Sequence, residues 1–528
     1  MLICYCIVLF LASINHQKRT SVDRMQIRIY LSLRLTGVLL VFFLLFQNSA
    51  KGQEMFGVTL GNYSGVNGII INPATMTNSK NYLDINVFSA DFFMFNNAYY
   101  LPSADVSIYD IMKPGFEFPT YGEKQQNLLY YKNQKPKQAT VNIRMQGPGA
   151  MYQYGKHAFG LTTSFRYFTS GNNIAWEMPI FGYESLSYEP LQNTAFNDYS
   201  IDIATSAWFQ LGLSYAYNIY NYMDQSISVG ATISKLWGYA GIYGEVDNVD
   251  YIVLDDSTIN IKNLDGKAGY AVPVDYNNND LINDPLFRGS GLGVDIGVLY
   301  VKKKFVGTQR WKHASQQQFE DYVYRAGFSI IDIGRVNYKN NAQLIDYDNV
   351  SAFWQNFDTI SYDNVNQVVQ EISDVFYGDP NASYAGNSFK IGLPTAVSLQ
   401  FDYHYSKNIY FGAIWIQPVR LNQHTLRRPA QLAIIPRYET KMMEISVPIS
   451  LYNYRYPRIG LAFRYSFFTI GTERLGTYLA ISDLNGLDIY FSFKISFGKG
   501  TYKFKSHNKC YNNEYGYSDK EKANFKKK

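Results

Sequence analysis

Large apolar side chains alternate with small polar ones along much of this 528-residue chain, and this two-residue period constrains the fold more than any other feature. In 207–219, Phe209, Leu211 and Leu213 share one parity, whereas Gln210 and Ser214 share the other. The same alternation occurs in 157–169, 226–234, 292–300, 397–405, 460–466 and 489–497. Because successive side chains of a β-strand point to opposite faces, the pattern predicts a series of two-faced strands.

The chemistry of the two faces distinguishes between kinds of β-protein. The apolar face is rich in aromatic residues, which make up 17% of the chain, and the polar face is mostly Ser, Thr, Gly, Asn and Gln. A soluble sandwich, the alternative that stays open, tends to collect Lys and Glu on its solvent face. A membrane barrel turns the apolar face to lipid and the polar face to its lumen. We therefore predict an all-β fold, a single transmembrane β-barrel of about 14 antiparallel strands, within a range of roughly 12–16.

The N-terminus has the three parts of a secretory signal. Basic residues including Arg28 and Arg34 precede the apolar run Gly37–Phe46, and the small pair Ala50-x-Gly52 follows it. This order predicts a signal-peptide region in 1–52, with translation starting at Met25 and cleavage just before Gln53. The run is shorter than the roughly 20 residues of a spanning helix. An uncleaved signal anchor is the alternative.

The remaining chain divides into three predicted parts: an N-terminal hatch at 53–81, the transmembrane barrel at 82–497, and a basic periplasmic tail at 498–528. The tail has nine lysines and three acidic residues, and 1–52 is also basic, so the body carries a negative net charge although the whole chain is at +5. Nothing in the body resembles the clustered basic face of a nucleic-acid-binding protein. The three cysteines and six histidines have no zinc-type spacing, and we expect no metal or cofactor.

The spacing of the strands predicts one end of short turns, such as Gly155-Lys156 and 406–408, and one end of long loops. Four polar stretches are expected to be these outer loops: 103–138, 170–206, 241–290 and 339–393. The period loosens toward helical spacing in 304–321 and 353–377, which predicts short helices there.

Two stretches resemble a known superfamily. The segment 61–68 and the motif Asn72-Pro73-Ala74 are similar to the N-terminal hatch of the long-chain fatty-acid transporter superfamily of outer-membrane barrels. The strand Gly291–Tyr300 resembles a glycine-aspartate strand of the same superfamily. The layout of 435–440, 446–449 and 497–500 resembles a Bacteroidota outer-membrane barrel family of unknown function. The resemblance implies a barrel partly filled by its N-terminal segment, without specifying the cargo.

Charged side chains with the parity of the lumen are the candidate site residues. The acidic ones are Asp84, Asp295, Asp402 and Glu444, and the basic ones are Arg144, Arg166, Arg437 and Arg464. Such groups either tune what passes or brace a narrow interior. Gly293 and Gly297 leave room beside Asp295, so we predict that Asp295 hydrogen-bonds the backbone of 60–75; a lone acid facing water is the alternative.

His404 shares a face with Asp402 and Ser398, a combination of side chains that a hydrolase uses. Residues two apart on one strand are about 6.6 Å apart, which is too far for a direct relay. We predict that the protein is not an enzyme, and we count His404 among the lumen candidates. Pro436 and Pro448 fall within strand-like runs, where proline implies a bulge or an edge. They suggest a kink that opens the wall laterally.

Together these features predict an outer-membrane β-barrel that binds or passes small hydrophobic or amphipathic molecules. The predicted partners are outer-membrane lipid and a hydrophobic small molecule, with the protein either a monomer or part of a secretion complex, and without nucleic acid. The alternative function is a non-transporting scaffold of a surface secretion or attachment complex.

Overall fold

The computed structural model describes residues 54–111, 113, 128–304, 319, 321–356 and 364–499. The signal region 1–52, most of the basic tail and all three cysteines lie outside these ranges. No helix within the described ranges is long and apolar enough to cross a bilayer.

The described residues are mostly β-strand. The strands are β1 Asn81–Asn96, β2 Tyr99–Tyr100, β3 Leu129–Tyr130, β4 Lys137–Gln146, β5 Gly149–Tyr154, β6 His157–Ile174, β7 Ala195–Tyr222, β8 Gln225–Val253, β9 Ile259–Ala271, β10 Gly289–Lys303, β11 Tyr322–Tyr338, β12 Ala342–Trp354, β13 Tyr384–Gly386, β14 Phe389–Gly392, β15 Ala396–Ser406, β16 Ile409–Pro418, β17 Gln431–Glu439, β18 Met443–Ser446, β19 Ile449–Tyr452, β20 Tyr456–Ile459, β21 Leu461–Tyr465, β22 Phe468–Thr472 and β23 Gly486–Gly498.

Short helices lie before and between the strands. They are α1 Phe56–Thr59, α2 Val66–Ile69, α3 Ile108–Ile111, α4 Met178–Glu184, α5 Val365–Tyr377 and α6 Leu475–Tyr478, with 3-10 helices at Pro73–Asn78 and Glu189–Leu191. Helix α5 lies within 353–377, where the sequence predicted a helix. Most of the other stretch, 304–321, lies outside the described residues.

Within the described residues, the strands close into an antiparallel barrel of 14 strands, as the alternation predicted. Several of the 14 consist of consecutive segments: β4 with β5, β9 with β10, β11 with β12, β13 with β14 and β15, β18 with β19, and β20 with β21. The ring closes where β1 pairs with β23, from Asn81 opposite Gly498 to Phe95 opposite Gly486. The ring therefore has no open edge strand, which a spanning sheet requires.

The two faces of the wall are as the two-residue period predicted. Outward side chains such as Leu213, Ile233 and Leu292 are more than 60% exposed. The intervening residues Ser214 and Thr232 are buried, and their hydroxyl oxygens lie 2.8 Å apart across the β7–β8 ladder on the inner face. The wall thus has an apolar outer face and a polar, enclosed inner face.

The two ends of the barrel differ. One, the turn end, has the connections 155–156, 223–224, 407–408 and 466–467, and also holds the free ends of β1 and β23. The other, the loop end, has longer connections, including 97–136, 175–194 and 419–430. The predicted outer loops 170–206, 241–290 and 339–393 are partly wrong, because β7, β8, β9 and β12 continue through them as paired strands. Polar composition concealed this pairing, since strands beyond the membrane have no lipid-facing side.

The wall is not open at the two prolines. Pro436 lies in register opposite Phe411, so β16 and β17 pair without interruption. On the other side of β17 the ladder skips a few residues, and Val447 N donates to Pro436 O at 3.0 Å across this skip. The next ladder skips residues at Pro448, and there Gly460 N donates to Pro448 O at 2.7 Å. The predicted lateral opening at Pro436 and Pro448 is therefore wrong; each proline carbonyl still accepts a bond.

A charge on the outer face should destabilise the barrel in proportion to its depth. We expect Leu213→Arg to lower the free energy of unfolding in lipid vesicles by about 2–4 kcal/mol, because it places a guanidinium in hydrocarbon. The matched control is Leu479→Arg, at an exposed leucine after α6 at the loop end, which should change it by less than about 1 kcal/mol. Urea unfolding of both variants measures the difference. Equal effects would contradict a lipid-facing position for Leu213.

Candidate functional site

The predicted site residues line the interior of the barrel. Asp84, Arg144, Arg166, Asp402, His404, Arg437, Glu444 and Arg464 are all buried, each with at most 5% of its surface exposed. Asp295 is partly buried. The alternation along each strand predicted that these side chains face the lumen, because this prediction needs only the two-residue period. The alternation could not predict which of the side chains contact each other.

Residues 54–80, the described part of the predicted hatch (53–81) that precedes β1, lie in the interior against these side chains. We use the name hatch for 54–80 from here on. Phe56 and Leu60 pack with Ile331 and Ile435 of the wall in one apolar cluster. A second cluster combines Val66, Ile69 and Met76 of the hatch with Met151, Ala158 and Ala216 of the wall. Apolar side chains thus seat the hatch at several places around the ring.

The Asn72-Pro73-Ala74 turn binds directly to the wall. Asn72 Nδ2 donates to Val298 O at 3.0 Å and to Gln400 Oε1 at 2.9 Å, and its Oδ1 accepts from Ala74 N at 2.9 Å. Pro73 begins the 3-10 helix, where its missing N–H has no cost. The asparagine therefore caps this helix and fastens it to two barrel strands.

Two wall glycines make room for this turn. A Cβ on Gly230 would lie 2.6 Å from Ala74 N, and a Cβ on Gly297 would collide with the Asn72 side chain. At these positions only backbone separates the hatch from the outer face of the wall. Of the two glycines predicted to admit a chain segment, Gly297 does so, whereas the atoms nearest a Cβ on Gly293 belong to Leu393, Ser234 and Leu236 rather than to the hatch.

The predicted hydrogen bond from Asp295 to the hatch is wrong. Asp295 Oδ1 instead accepts from Asp332 N at 2.6 Å on the neighbouring strand. Asp332 has a positive φ of 57°, and the β10–β11 register shifts beside it, between Val294 and Ile296. A bulge leaves a backbone N–H unpaired in the ladder, and Asp295 satisfies it.

Asp84 and Lys494 together hold the first half of the hatch. Asp84 Oδ2 accepts from Val66 N at 2.8 Å, and Lys494 Nζ donates to Tyr63 O at 2.9 Å and Ser64 O at 2.6 Å. Gly65, between them, has a φ of 53° and would strike Asp84 with any side chain. This position requires glycine on both counts.

Asp402 is the centre of a second ionic cluster near the turn end. Arg325 and Arg437 both bind its carboxylate, at 3.0 and 2.7 Å, and Tyr322 donates to it as well. The Tyr322 hydroxyl also lies 2.9 Å from Asn62 Oδ1 of the hatch, which brings the cluster into contact with the hatch.

Glu439 and Tyr63 extend this attachment. The Glu439 carboxylate accepts from Lys80 Nζ at 2.7 Å and from Asn62 Nδ2 at 2.9 Å, so it holds both halves of the hatch. The Arg464 guanidinium lies 4.5 Å from the centre of the Tyr63 ring, and Arg464 also binds Glu444. Burial, with Glu439 nearby, raises the pKa of Tyr63 to about 12, so the ring is neutral at physiological pH.

The three side chains that suggested a hydrolase, Ser398, Asp402 and His404, each bind a different partner. His404 Nδ1 is 2.8 Å from Asp321 Oδ1, Asp402 binds the two arginines, and Ser398 Oγ accepts from Gln400. His404 therefore has a carboxylate partner outside its own strand. The three side chains form no nucleophile–base relay in the described structure.

A loop that the sequence did not identify enters the barrel from the opposite end. Residues 419–430, the inner loop, hydrogen-bond to β14 through Gly392 N to His424 O at 2.7 Å and Leu426 N to Gly392 O at 3.1 Å. Leu426 packs into the apolar cluster that contains Trp208 and Tyr338. A cavity of about 510 Å³ lies between this loop and the wall, lined largely by amides, threonines and arginines.

Arg428 joins the inner loop to the hatch. Its guanidinium lies 2.7 Å from the Glu54 carboxylate and also binds Asp332, which pairs in turn with Arg166. The side chains of Arg428 and Glu54 are each only 1% exposed. The two inserted segments thus meet through one buried ion pair.

An apolar groove lies on the outer face, across the wall from the Asn72 turn. It has a volume of about 360 Å³ and is lined by Tyr215, Val229, Gly230, Ala231, Ile296, Gly297, Val298 and Phe328. Gly230 and Gly297 belong both to the groove and to the seat of the hatch.

Residues 73–473 match the model of a family described as a family of unknown function, DUF5723. The chain belongs to this family. No curated protein matches the chain at a significant level of similarity.

Several solved structures are similar to the chain. They include the deltaS2S3 mutant of the monoaromatic hydrocarbon channel TodX (8% identity, TM-score 0.40, covering 82% of this chain and 95% of that one). A FadL homologue of Pseudomonas aeruginosa has 10% identity and a TM-score of 0.36, covering 84% and 97%. The P. putida toluene transporter TodX has 8% identity and a TM-score of 0.34, covering 83% and 95%.

Removing Arg428 should weaken the attachment of the hatch. We expect Arg428→Ala to lower the free energy of unfolding by about 3–5 kcal/mol, because it leaves the Glu54 carboxylate buried without its ion-pair partner and leaves Asp332 with Arg166 alone. The control is Arg420→Ala on the same loop, whose partner Glu245 and own side chain are 23% and 46% exposed; it should cost about 0–1 kcal/mol. Urea unfolding and protease cleavage within 54–80 measure both. Equal losses would argue against the buried pair.

Proposed function

We propose that this protein is an outer-membrane barrel, exported by the signal in 1–52, that binds or passes small hydrophobic or amphipathic molecules. The observation that supports this proposal is the position of the outer apolar groove. The groove lies on the outer side of Gly230 and Gly297, and the Asn72–Ala74 turn of the hatch lies on their inner side. An apolar ligand in the groove would therefore be one backbone thickness from the lumen.

The chemistry on the two sides of this thin wall suits an amphipathic molecule. The groove presents aliphatic and aromatic side chains, whereas the lumen beside Asn72 presents Gln400 and Ser329, which hydrogen-bond each other at 3.1 Å. An apolar body would bind in the groove, and a polar end would exchange hydrogen bonds with the amides. Passage requires the hatch turn to leave the glycines, which breaks the bonds of Asn72 to Val298 and Gln400.

Further parts of the proposal concern location and partners. The outward apolar belt would face outer-membrane lipid, and the residues from 498 onward would extend into the periplasm from the turn end, where β23 finishes. We propose a protein without an enzymatic activity or cofactor. A Bacteroidota origin remains a prediction from the sequence.

One observation favours the second candidate, a scaffold that does not transport. The interior is occupied by two segments, the hatch and the inner loop, joined by the buried ion pair Arg428–Glu54. In addition, β7 and β8 have 28 and 29 residues, far more than the about 9–11 that cross a bilayer. Such strands would present a large surface beyond the membrane to partner proteins.

A reversible crosslink of the hatch to the wall separates the two candidates. Thr77 Oγ1 and Ser228 Oγ are 2.8 Å apart, so the pair Thr77→Cys and Ser228→Cys, with Cys510→Ser, should form a disulfide that locks the hatch. In proteoliposomes we expect oxidation to slow uptake of the apolar dye N-phenyl-1-naphthylamine at least tenfold. Reduction should restore it.

The control crosslink joins two wall strands that are already paired. Ser214 Oγ and Thr232 Oγ1 are also 2.8 Å apart, and their cysteine pair leaves the hatch free. Its oxidation should not change uptake. Full uptake with the hatch locked would contradict passage past the hatch, and no uptake in any form would favour the scaffold.

A further inference from the structure

Four arginines border the cavity of about 510 Å³ between the inner loop and the wall, which we name the loop-end cavity. Arg420, Arg427 and Arg428 belong to the inner loop, and Arg455 belongs to the connection between β19 and β20. Among the described residues, no aspartate, glutamate or lysine lines this cavity. The charged groups at its surface are therefore all positive, which favours a bound anion.

The carboxylates that pair with the inner-loop arginines lie outside the lining of the cavity. They are Glu245 for Arg420, Asp202 for Arg427, and Glu54 with Asp332 for Arg428. In each pair the arginine borders the cavity and the acidic residue does not. Arg455 is exposed and forms no ion pair within the described part of the chain, so its charge is not compensated there.

Two buried donors at this cavity also lack an acceptor. Arg428 has 1% of its side chain exposed, and its Nε donates to no acceptor among the described residues. Asn172, near the end of β6, lines the same cavity, and its buried Nδ2 has no described partner either. A buried donor without an acceptor is unfavourable. The cavity therefore presents hydrogen-bond donors for which the described chain supplies no acceptor.

A phosphate ester matches this lining better than a carboxylate does. A carboxylate carries one negative charge, whereas a phosphate monoester carries about 1.5–2 at neutral pH and has three strong acceptor oxygens. Guanidinium groups bind phosphate oxygens through pairs of parallel hydrogen bonds. The volume of the cavity lies within the roughly 300–1,000 Å³ of small-molecule sites, so there is room for the esterified group as well.

We propose that the loop-end cavity binds a small organic phosphate ester through its phosphate group. Arg420 and Arg455 are exposed and bind the phosphate at the rim. Arg428 and Asn172 donate to it from the buried side. Among their described lining residues, the cavity and the outer apolar groove have none in common. Binding of the ester is therefore a second function, which does not depend on the passage of apolar molecules past the hatch.

The ester reaches the cavity from the water at the loop end. Most lining residues belong to the inner loop, to the start of β4, to the end of β6 or to the connection after β19, and all of these lie at that end. Two sources have the required chemistry, a soluble sugar phosphate and the phosphate head of an amphiphile. Both carry the same phosphate group, and the esterified part distinguishes them.

Isothermal titration calorimetry of the full-length protein tests the site, in micelles of octyl tetraoxyethylene, a neutral detergent without sugar or phosphate. We expect glucose 6-phosphate or hexyl phosphate to bind with one-to-one stoichiometry. Stronger binding of the former would support a soluble sugar phosphate as the source, and stronger binding of the latter would support an amphiphile. The matched carboxylates, glucuronate and heptanoate, should bind at least fivefold more weakly than the corresponding ester. Absence of binding by both esters, or equal binding of the carboxylates, would overturn the proposal.

The two rim arginines can be removed without disturbing the buried ion pair of Arg428. We expect Arg455→Ala and Arg420→Ala each to raise the Kd of the preferred ester at least fivefold, and the double variant to raise it further, because each loses charge-assisted hydrogen bonds to phosphate. The matched control is Arg335→Ala, at an exposed arginine of β11 that does not line the cavity, and it should change the Kd less than twofold. An unchanged melting temperature of Arg455→Ala establishes that this variant is folded. Equal weakening by all three single variants, or by none of them, would overturn the site.

Chemical modification of arginine gives a readout that needs no substitution. Phenylglyoxal reacts with accessible guanidinium groups, and mass spectrometry of the peptides gives the rate at each arginine. Saturating ester should slow the modification of Arg420 and Arg455 at least fivefold and leave that of Arg335 unchanged. If the two rim arginines react at the same rate with and without the ester, the ester binds elsewhere and the proposal is wrong. Failure of dye uptake in proteoliposomes would leave this result unaffected.

Discussion

The enclosure of charge inside a sealed apolar belt is the constraint on which this structure depends. Arginines and carboxylates on the inner face are taken out of bulk water, and each must find a partner or be strongly destabilising. Neighbouring wall strands satisfy some of them, as with Arg464 and Glu444. The others are satisfied by segments that enter the lumen. The hatch therefore occupies the interior of the barrel and also supplies partners for the charged side chains of the inner face.

The strand period predicted the inner face well because it depends only on local geometry. Asp84, Arg166 and Asp402 were identified by parity alone, and all three are buried inside the barrel. Parity fails where the ladder is irregular. At Asp332 the bulge turns a backbone N–H toward Asp295, and no pattern in one strand reveals a bulge in the next one.

The inner loop shows what the sequence could not indicate. Arg428 lies in a loop without any period, and its partners Glu54 and Asp332 are far away along the chain. Its inward position follows from long-range charge pairing that only the closed ring creates. The sequence does show two adjacent arginines, 427 and 428, flanked by apolar residues. Composition alone, however, does not indicate whether these side chains point into the barrel or into solvent. The overlong β7 and β8 were hidden similarly, because polar strands outside the membrane resemble loops.

The seam of the ring has a consequence for biogenesis. The first and last strands, β1 and β23, contribute Asp84 and Lys494, and these two side chains grip the same short piece of the hatch around Ser64 and Val66. The enclosed segment cannot be threaded into a finished cylinder without disrupting this grip. We therefore expect the sheet to form around an N-terminal segment that is already docked, with β23 pairing with β1 last. The order of synthesis suits this sequence of events, since the segment to be enclosed is synthesised before the barrel and β23 is the last strand to be made.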